Sequence, residues 1–124
     1  EQIDHLLVTS SCLERQMAIV AMKRNQFDVS EGYCHRCLVH SKRIGVEGEE
    51  KTTSILLALR TYISLRQHQG HYSSAVSFAE EAYNLVVDVY DPVHPQVQEA
   101  AGYLIDSLIS KGDLLNAERF AEQT

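Results

Sequence analysis

The chain has 124 residues, enough for one domain or a fragment of a longer array, and its 44% hydrophobic content is enough to fill a core. Seventeen acidic residues against eleven basic give a net charge of −6, and no basic run exceeds the pairs Lys23-Arg24 and Lys42-Arg43, which argues against a nucleic-acid surface. No apolar run approaches the ~20 residues of a membrane span, and no basic-then-apolar leader opens the chain.

The chain starts at Glu1 and stops inside a helical pattern, so both ends read as boundaries of a segment. Three cysteines, an odd number, suggest free thiols and a cytoplasmic setting.

Apolar residues recur at helical spacing throughout. No period-2 run and no Asn-Gly or Asp-Gly hairpin competes with them, so the predicted class is all-α. The first predicted helix spans residues 4–23, with Leu6, Leu13, Met17, Val20 and Ala21 on its inner face. Asn25 ends it, because asparagine tolerates the left-handed conformation of a helix stop. The second covers 29–44 and closes at Gly45. Residues 45–50 form a loop whose three acids suit the positive end of the third helix, 52–69, which stops at Gly70. The fourth runs 73–90 and is broken by Asp91-Pro92. Pro95 fits the first turn of the fifth, where its missing N–H costs nothing. That helix ends at Gly112, and a sixth runs from about 115 to 124. Six helices in three antiparallel pairs are expected.

One short pattern recurs along this series. Gly70-His71-Tyr72 is followed by Ala75, Ala79 and Ala82. Forty-two residues later, Gly112-Asp113-Leu114 is followed by Ala117, Ala121 and Thr124 at the same offsets. Forty-five residues earlier stands a degenerate copy, Asn25-Gln26-Phe27 with Ser30, Cys34 and Cys37. A period of about forty residues marks a helical repeat array. Small residues let two helices approach, and a leucine at Ala75 or Ala117 would overpack the contact by ~1–3 kcal/mol. Phe27, Tyr72 and Leu114 are read as wedges seating each second helix against the first. Phe78, Leu85 and Val89 continue the inner stripe of the fourth helix.

At these residues the chain resembles the tetratricopeptide repeat family, in the longer form found in kinesin light chains and related scaffolds. Gln69-Gly70-His71-Tyr72-Ser73-Ser74-Ala75 is similar to that family's Gln-Gly-x-Tyr-x-x-Ala turn. Tyr90-Asp91-Pro92-Val93-His94-Pro95-Gln96-Val97 is similar to its Gly-Pro-x-His-Pro-x-Val linker, with Tyr90-Asp91 where Leu-Gly is usual. The resemblance covers residues 13–124, in repeats of about 10–45, 52–90 and 95–124. Ser30, Cys34 and Cys37 depart from the usual alanines, and the first linker lacks His-Pro.

The resemblance implies a right-handed superhelical solenoid of three antiparallel helix pairs, with the first helix of each pair lining a concave face. Carried over by position, that face presents Arg15, Ile19, Met22 and Lys23, then Arg60, Ser64, Gln67 and His68. The third repeat adds Glu99, Gly102, Tyr103, Asp106 and Ile109. Some members hold a peptide's terminal carboxylate with paired Lys and Asn. Here Ile19, Ser64 and Asp106 stand where that Asn is needed, so recognition of that kind is not expected.

Other chemistry is weighed against packing. Cys34-His35-Arg36-Cys37, with His40 or Cys12 near, has spacing that could supply zinc ligands, but no second cysteine pair follows. Alternatively both cysteines fill small repeat positions as buried apolar groups. His71 reads as an exposed turn residue and His94 as a linker contact. No nucleophile elbow, phosphate loop or His-Glu-x-x-His occurs, and neither catalysis nor a cofactor is expected. Arg15 and Arg60 on one concave wall would suit an acidic or phosphorylated peptide. Equally, they pair with Glu14, Glu99 or Asp106. The function expected is a protein–protein interaction module, a scaffold or adaptor holding a partner peptide or helix. The alternatives are a structural segment that self-associates through its open ends, where Leu115 and Phe120 lie, and a cysteine metal site.

Overall fold

A computed structural model of the chain describes residues 2–123. It contains α1 (Gln2–Lys23), α2 (Phe27–Lys42), α3 (Glu49–His68), α4 (Tyr72–Val87), α5 (Pro95–Lys111) and α6 (Leu114–Gln123), and no strand among the described residues. None of these helices is long and apolar enough to cross a membrane.

The repeat is written into the backbone at three turns. Asn25, Gly70 and Gly112 take left-handed conformations with φ of 59°, 76° and 90°. The next N–H then reaches back five residues, from Gln26 to Ala21, His71 to Arg66 and Asp113 to Leu108, at 2.8–2.9 Å. That bond satisfies a helix-end carbonyl which would otherwise lack a partner. The carbonyls of Gln26, His71 and Asp113 in turn accept from Ser30, Ala75 and Ala117 and so start the next helix. Asparagine in the first copy thus does the work of glycine in the other two.

Ser30, Cys34, Cys37, Ala75, Ala79, Ala82 and Ala117 are all buried, as the small-residue pattern requires. Ala121 is exposed, and Thr124 lies outside the described residues. The Ser30 hydroxyl gives its proton to the Ala18 carbonyl at 2.8 Å, so a polar atom at a close-packed position is satisfied.

Consecutive helices pack on one another, and α3 also packs on α1 and on α5. Among the described residues the even-numbered helices do not pack backbone to backbone; α2 and α4 meet through the Lys42–Glu81 ion pair at 3.4 Å. Three buried clusters follow. Ala18, Met22, Cys34, Tyr62 and Leu65 join α1, α2 and α3; Leu56, Leu59, Val86 and Val97 belong to a second, across α3, α4 and α5. Ile63, Ala75, Ala79, Leu104 and Ala117 belong to a third that reaches α6. Phe78 borders all three, stacked on Tyr62 with ring centroids 4.4 Å apart.

Several expectations are corrected. Of the predicted inner face of α1, only Ala21 is buried, while Leu6, Leu13, Met17 and Val20 face outward. Both α2 and α3 lie on one side of α1, and close approach there selects Ser11, Ala18 and Ala21 with Met22. Tyr72 and Leu114 are exposed rather than wedged, and of that trio only Phe27 packs into a core cluster. Val89 is exposed and lies beyond the end of α4. The α2 helix stops at Lys42, before Gly45. Gly45 and Val46 donate their N–H groups to the Asp4 carboxylate at 2.9 and 3.0 Å, which pins the α2–α3 loop to the start of α1. Phe120 packs edge-on against Tyr83, 4.9 Å between centroids.

Arg66 ties the first pair of helices to the second. From α3 it donates twice to the Glu31 carboxylate on α2, at 2.9 and 3.0 Å, and to Ser74 on α4 at 3.2 Å. Its guanidinium also lies 5.7 Å from the Tyr62 ring centroid and 5.8 Å from that of Phe78. Truncating Phe78 to alanine is expected to cost about 3 kcal/mol in urea unfolding, because three clusters lose a shared wall.

The Arg66 hydrogen bond, ahead of any other influence, holds the Glu31 carboxyl below its ordinary value of 4.5. A depressed folded value means the pair stabilises fully above 4.5 and loses that contribution as pH falls through the folded value. Glu31→Gln should therefore be less stable than the parent at pH 7, and the difference should shrink as pH falls below 4.5. Paired urea titrations across that descent measure it.

Candidate functional site

The α1 and α3 helices run side by side in the same direction, and the furrow between them holds two concavities. The first, about 410 Å³, is lined by Val8, Cys12 and Arg15 of α1 and by Glu49, Glu50, Thr53 and Leu57 of α3, among others. The second, about 240 Å³, is lined by Ile19, Met22 and Lys23 of α1 and by Arg60, Thr61, Ser64 and His68 of α3. Residues 8, 12, 15, 19 and 22 step along α1 by threes and fours, as do 50, 53, 57, 60, 64 and 68 along α3. The two concavities are therefore successive parts of one face of each helix.

Charge is distributed unevenly along this furrow. Glu49 and Glu50 stand at one end, where Arg15 also lines the wall. Lys23, Arg60 and His68 gather at the other around the apolar Ile19 and Met22. His68 donates Nδ1–H to the Ser64 carbonyl at 2.9 Å, which fixes the ring. Arg60 donates to the Tyr103 hydroxyl of α5 at 3.5 Å. Burial pushes the Tyr103 phenol up against the opposing pull of Arg60, so this hydroxyl stays a neutral partner. Neither Arg15 nor Arg60 forms an ion pair among the described residues. Arg15 donates to the Cys12 sulfur at 3.6 Å.

Of the residues carried over by position, Ile19, Met22, Lys23, Arg60, Ser64 and His68 come together in the second concavity. Met22 is buried and forms its floor rather than a free contact. Tyr103 adjoins it through Arg60. Gln67 and Asp106 line neither concavity, and Arg15 belongs to the other one, so Arg15 and Arg60 do not share a pocket. Val8, Cys12, Glu49, Glu50, Thr53 and Leu57 were missed. Their signal was the same three-and-four stepping, continued toward the helix starts, for Val8 and Cys12 ahead of where the repeat resemblance begins.

Cys34 and Cys37 sit inside the α1–α2–α3 contact. Burial pushes the Cys34 thiol up to about 12, and raises Cys37 as well. Ser11 meets Cys37 Sγ at 3.5 Å and Ser41 Oγ at 2.8 Å, closing a small polar cluster between α1 and α2. Deprotonated sulfur is the reactive and metal-binding form, and this environment disfavours it. Only Cys12 is exposed among the three. With a water-soluble disulfide reagent at pH ~8, Cys12 is expected to react at once, and Cys34 and Cys37 only after denaturant is added. Peptide mapping of the labelled thiols checks this.

Compared with known proteins, the chain matches no family model, no curated protein and no solved structure.

Proposed function

We propose that the chain is a tetratricopeptide-like interaction module whose α1–α3 furrow holds a short peptide or helix, and that it has no catalysis of its own. The observation that carries this reading is the cluster of Lys23, Arg60 and His68 around an apolar floor, in a chain whose net charge is −6. Basic groups converging against the charge of the whole molecule suit an acidic side chain next to an apolar one. With Glu49 and Glu50 at the far end of the same furrow, the preferred segment is acidic at one end, apolar in the middle and basic at the other.

Curvature supports the same reading. Close backbone packing of α3 with α1 and with α5, where α2 and α4 meet through the Lys42–Glu81 ion pair at 3.4 Å without such packing, favours a shape with the odd-numbered helices on the inside. That is the layer a superhelical solenoid presents to its ligands.

The test uses fluorescently labelled peptides of this charge order and anisotropy to read binding. Arg60→Glu is expected to weaken binding about 10-fold, while its melting temperature stays within about 2 °C of the parent, since Arg60 forms no ion pair among the described residues and its hydrogen bond to Tyr103 is long, at 3.5 Å. A double change, Glu49→Lys with Glu50→Lys, should weaken only peptides with a basic end. Unchanged binding by Arg60→Glu, or unfolding with no specific loss, would reject the furrow as the site.

A further inference from the structure

The second concavity carries more positive charge than one carboxylate uses. Its walls bring Lys23 from α1 together with Arg60 and His68 from α3, and no acidic side chain lines it. Neither Lys23 nor Arg60 forms an ion pair among the described residues. Lys23 and His68 stand in the last turns of their helices, where a cation offsets the negative helix end. Arg60 stands about two turns before the end of α3, so that structural use does not extend to it.

From this convergence, and resting on the reading that the furrow is the binding face, we propose that the second concavity takes a phosphorylated serine or threonine of a partner peptide, with an apolar neighbour against Ile19. A carboxylate has two oxygens and one charge, which the fork of a single guanidinium satisfies. Lys23 would then lack a counter-charge. A phosphomonoester carries a charge of about −1.5 to −2 and three acceptor oxygens. Arg60 donates Nη1–H to the Tyr103 hydroxyl at 3.5 Å and keeps the rest of its fork for a ligand. Lys23 supplies the second charge from the α1 wall. His68 has its Nδ1–H held by the Ser64 carbonyl, which leaves Nε2, a donor once protonated. Two fixed cations on two walls thus match two charges and three oxygens.

The height of the cations selects a short stem. Met22 is buried and fills the base, whereas Lys23 is exposed and Arg60 partly so. A phosphate on serine or threonine stops at that level, and an adjacent apolar side chain settles lower. The rest of the furrow disfavours an extended polyanion. Glu49 and Glu50 line the first concavity and the whole chain carries −6, so a nucleic acid or an anionic membrane meets repulsion beyond the one basic cluster. Glu99 of α5, which acts on the Tyr103 phenol, limits the positive field on that flank as well. A single phosphate, flanked by apolar and then basic residues, fits this pattern.

Three peptides test this, sharing an apolar neighbour and a basic far end and carrying serine, glutamate or phosphoserine at one position. Anisotropy is read at pH ~7.5, where the phosphate is mostly dianionic. The phosphoserine peptide is expected to bind about 10-fold tighter than the glutamate peptide, with the serine peptide weakest. Lys23→Gln should remove most of that preference with helicity unchanged, because Lys23 is exposed, and Lys23→Arg should keep it. Equal binding of the phosphoserine and glutamate peptides rejects the phosphate and leaves the furrow standing as a site for acidic peptides. No binding of any of the three rejects the furrow as well. A preference that survives Lys23→Gln, or displacement of the phosphoserine peptide by phosphatidylserine vesicles, would each overturn the proposal.

Discussion

The face that carries the furrow depends on how α3 is held, and α3 is held through Arg66 and the Tyr62–Phe78 stack. A guanidinium is suited to this place because it offers several N–H donors in a plane and stacks on aromatic faces. It spends its donors on Glu31, Ser74 and Gln69, from three different segments, while covering both rings. Lysine, with one compact charge, could not meet that set of partners. Because α3 contributes one wall of the furrow, a rotation of α3 at this joint would move Arg60, Ser64 and His68 together.

The furrow itself is a consequence of where small residues fall. Ser30, Ala75 and Ala117 occupy the same place after each left-handed turn, so each second helix starts close against its predecessor. Close packing at that end sets each second helix against its neighbours in the chain, while α3 also meets α1 and α5. Where α1 and α3 meet, Met22 and Leu57 fill the base, and the longer Arg15, Lys23 and Arg60 stand at the rim. A depression with an apolar base and charged edges results from helix geometry alone, before any demand of a ligand.

How much of this was legible in the sequence depends on what kind of signal each feature leaves. Turns leave a chemical signal: Asn25, Gly70 and Gly112 could be read as stops because few residues accept positive φ. Pro95 and His94 likewise announce a helix start, and His94 does cap it, accepting from Gln96 N–H at 3.1 Å while stacking on Tyr90. Burial direction leaves a weaker signal. The α1 helix carries two apolar stripes, and periodicity favours the larger residues over Ser11 and Ala18, although closeness of the backbones rewards the small ones. Arg66 left no signal at all, since nothing in its neighbours in the chain indicates Glu31 or Ser74. The site fell between these cases: spacing identified the residues of the second concavity, whereas the acidic end needed the parallel alignment of α1 with α3 to become visible.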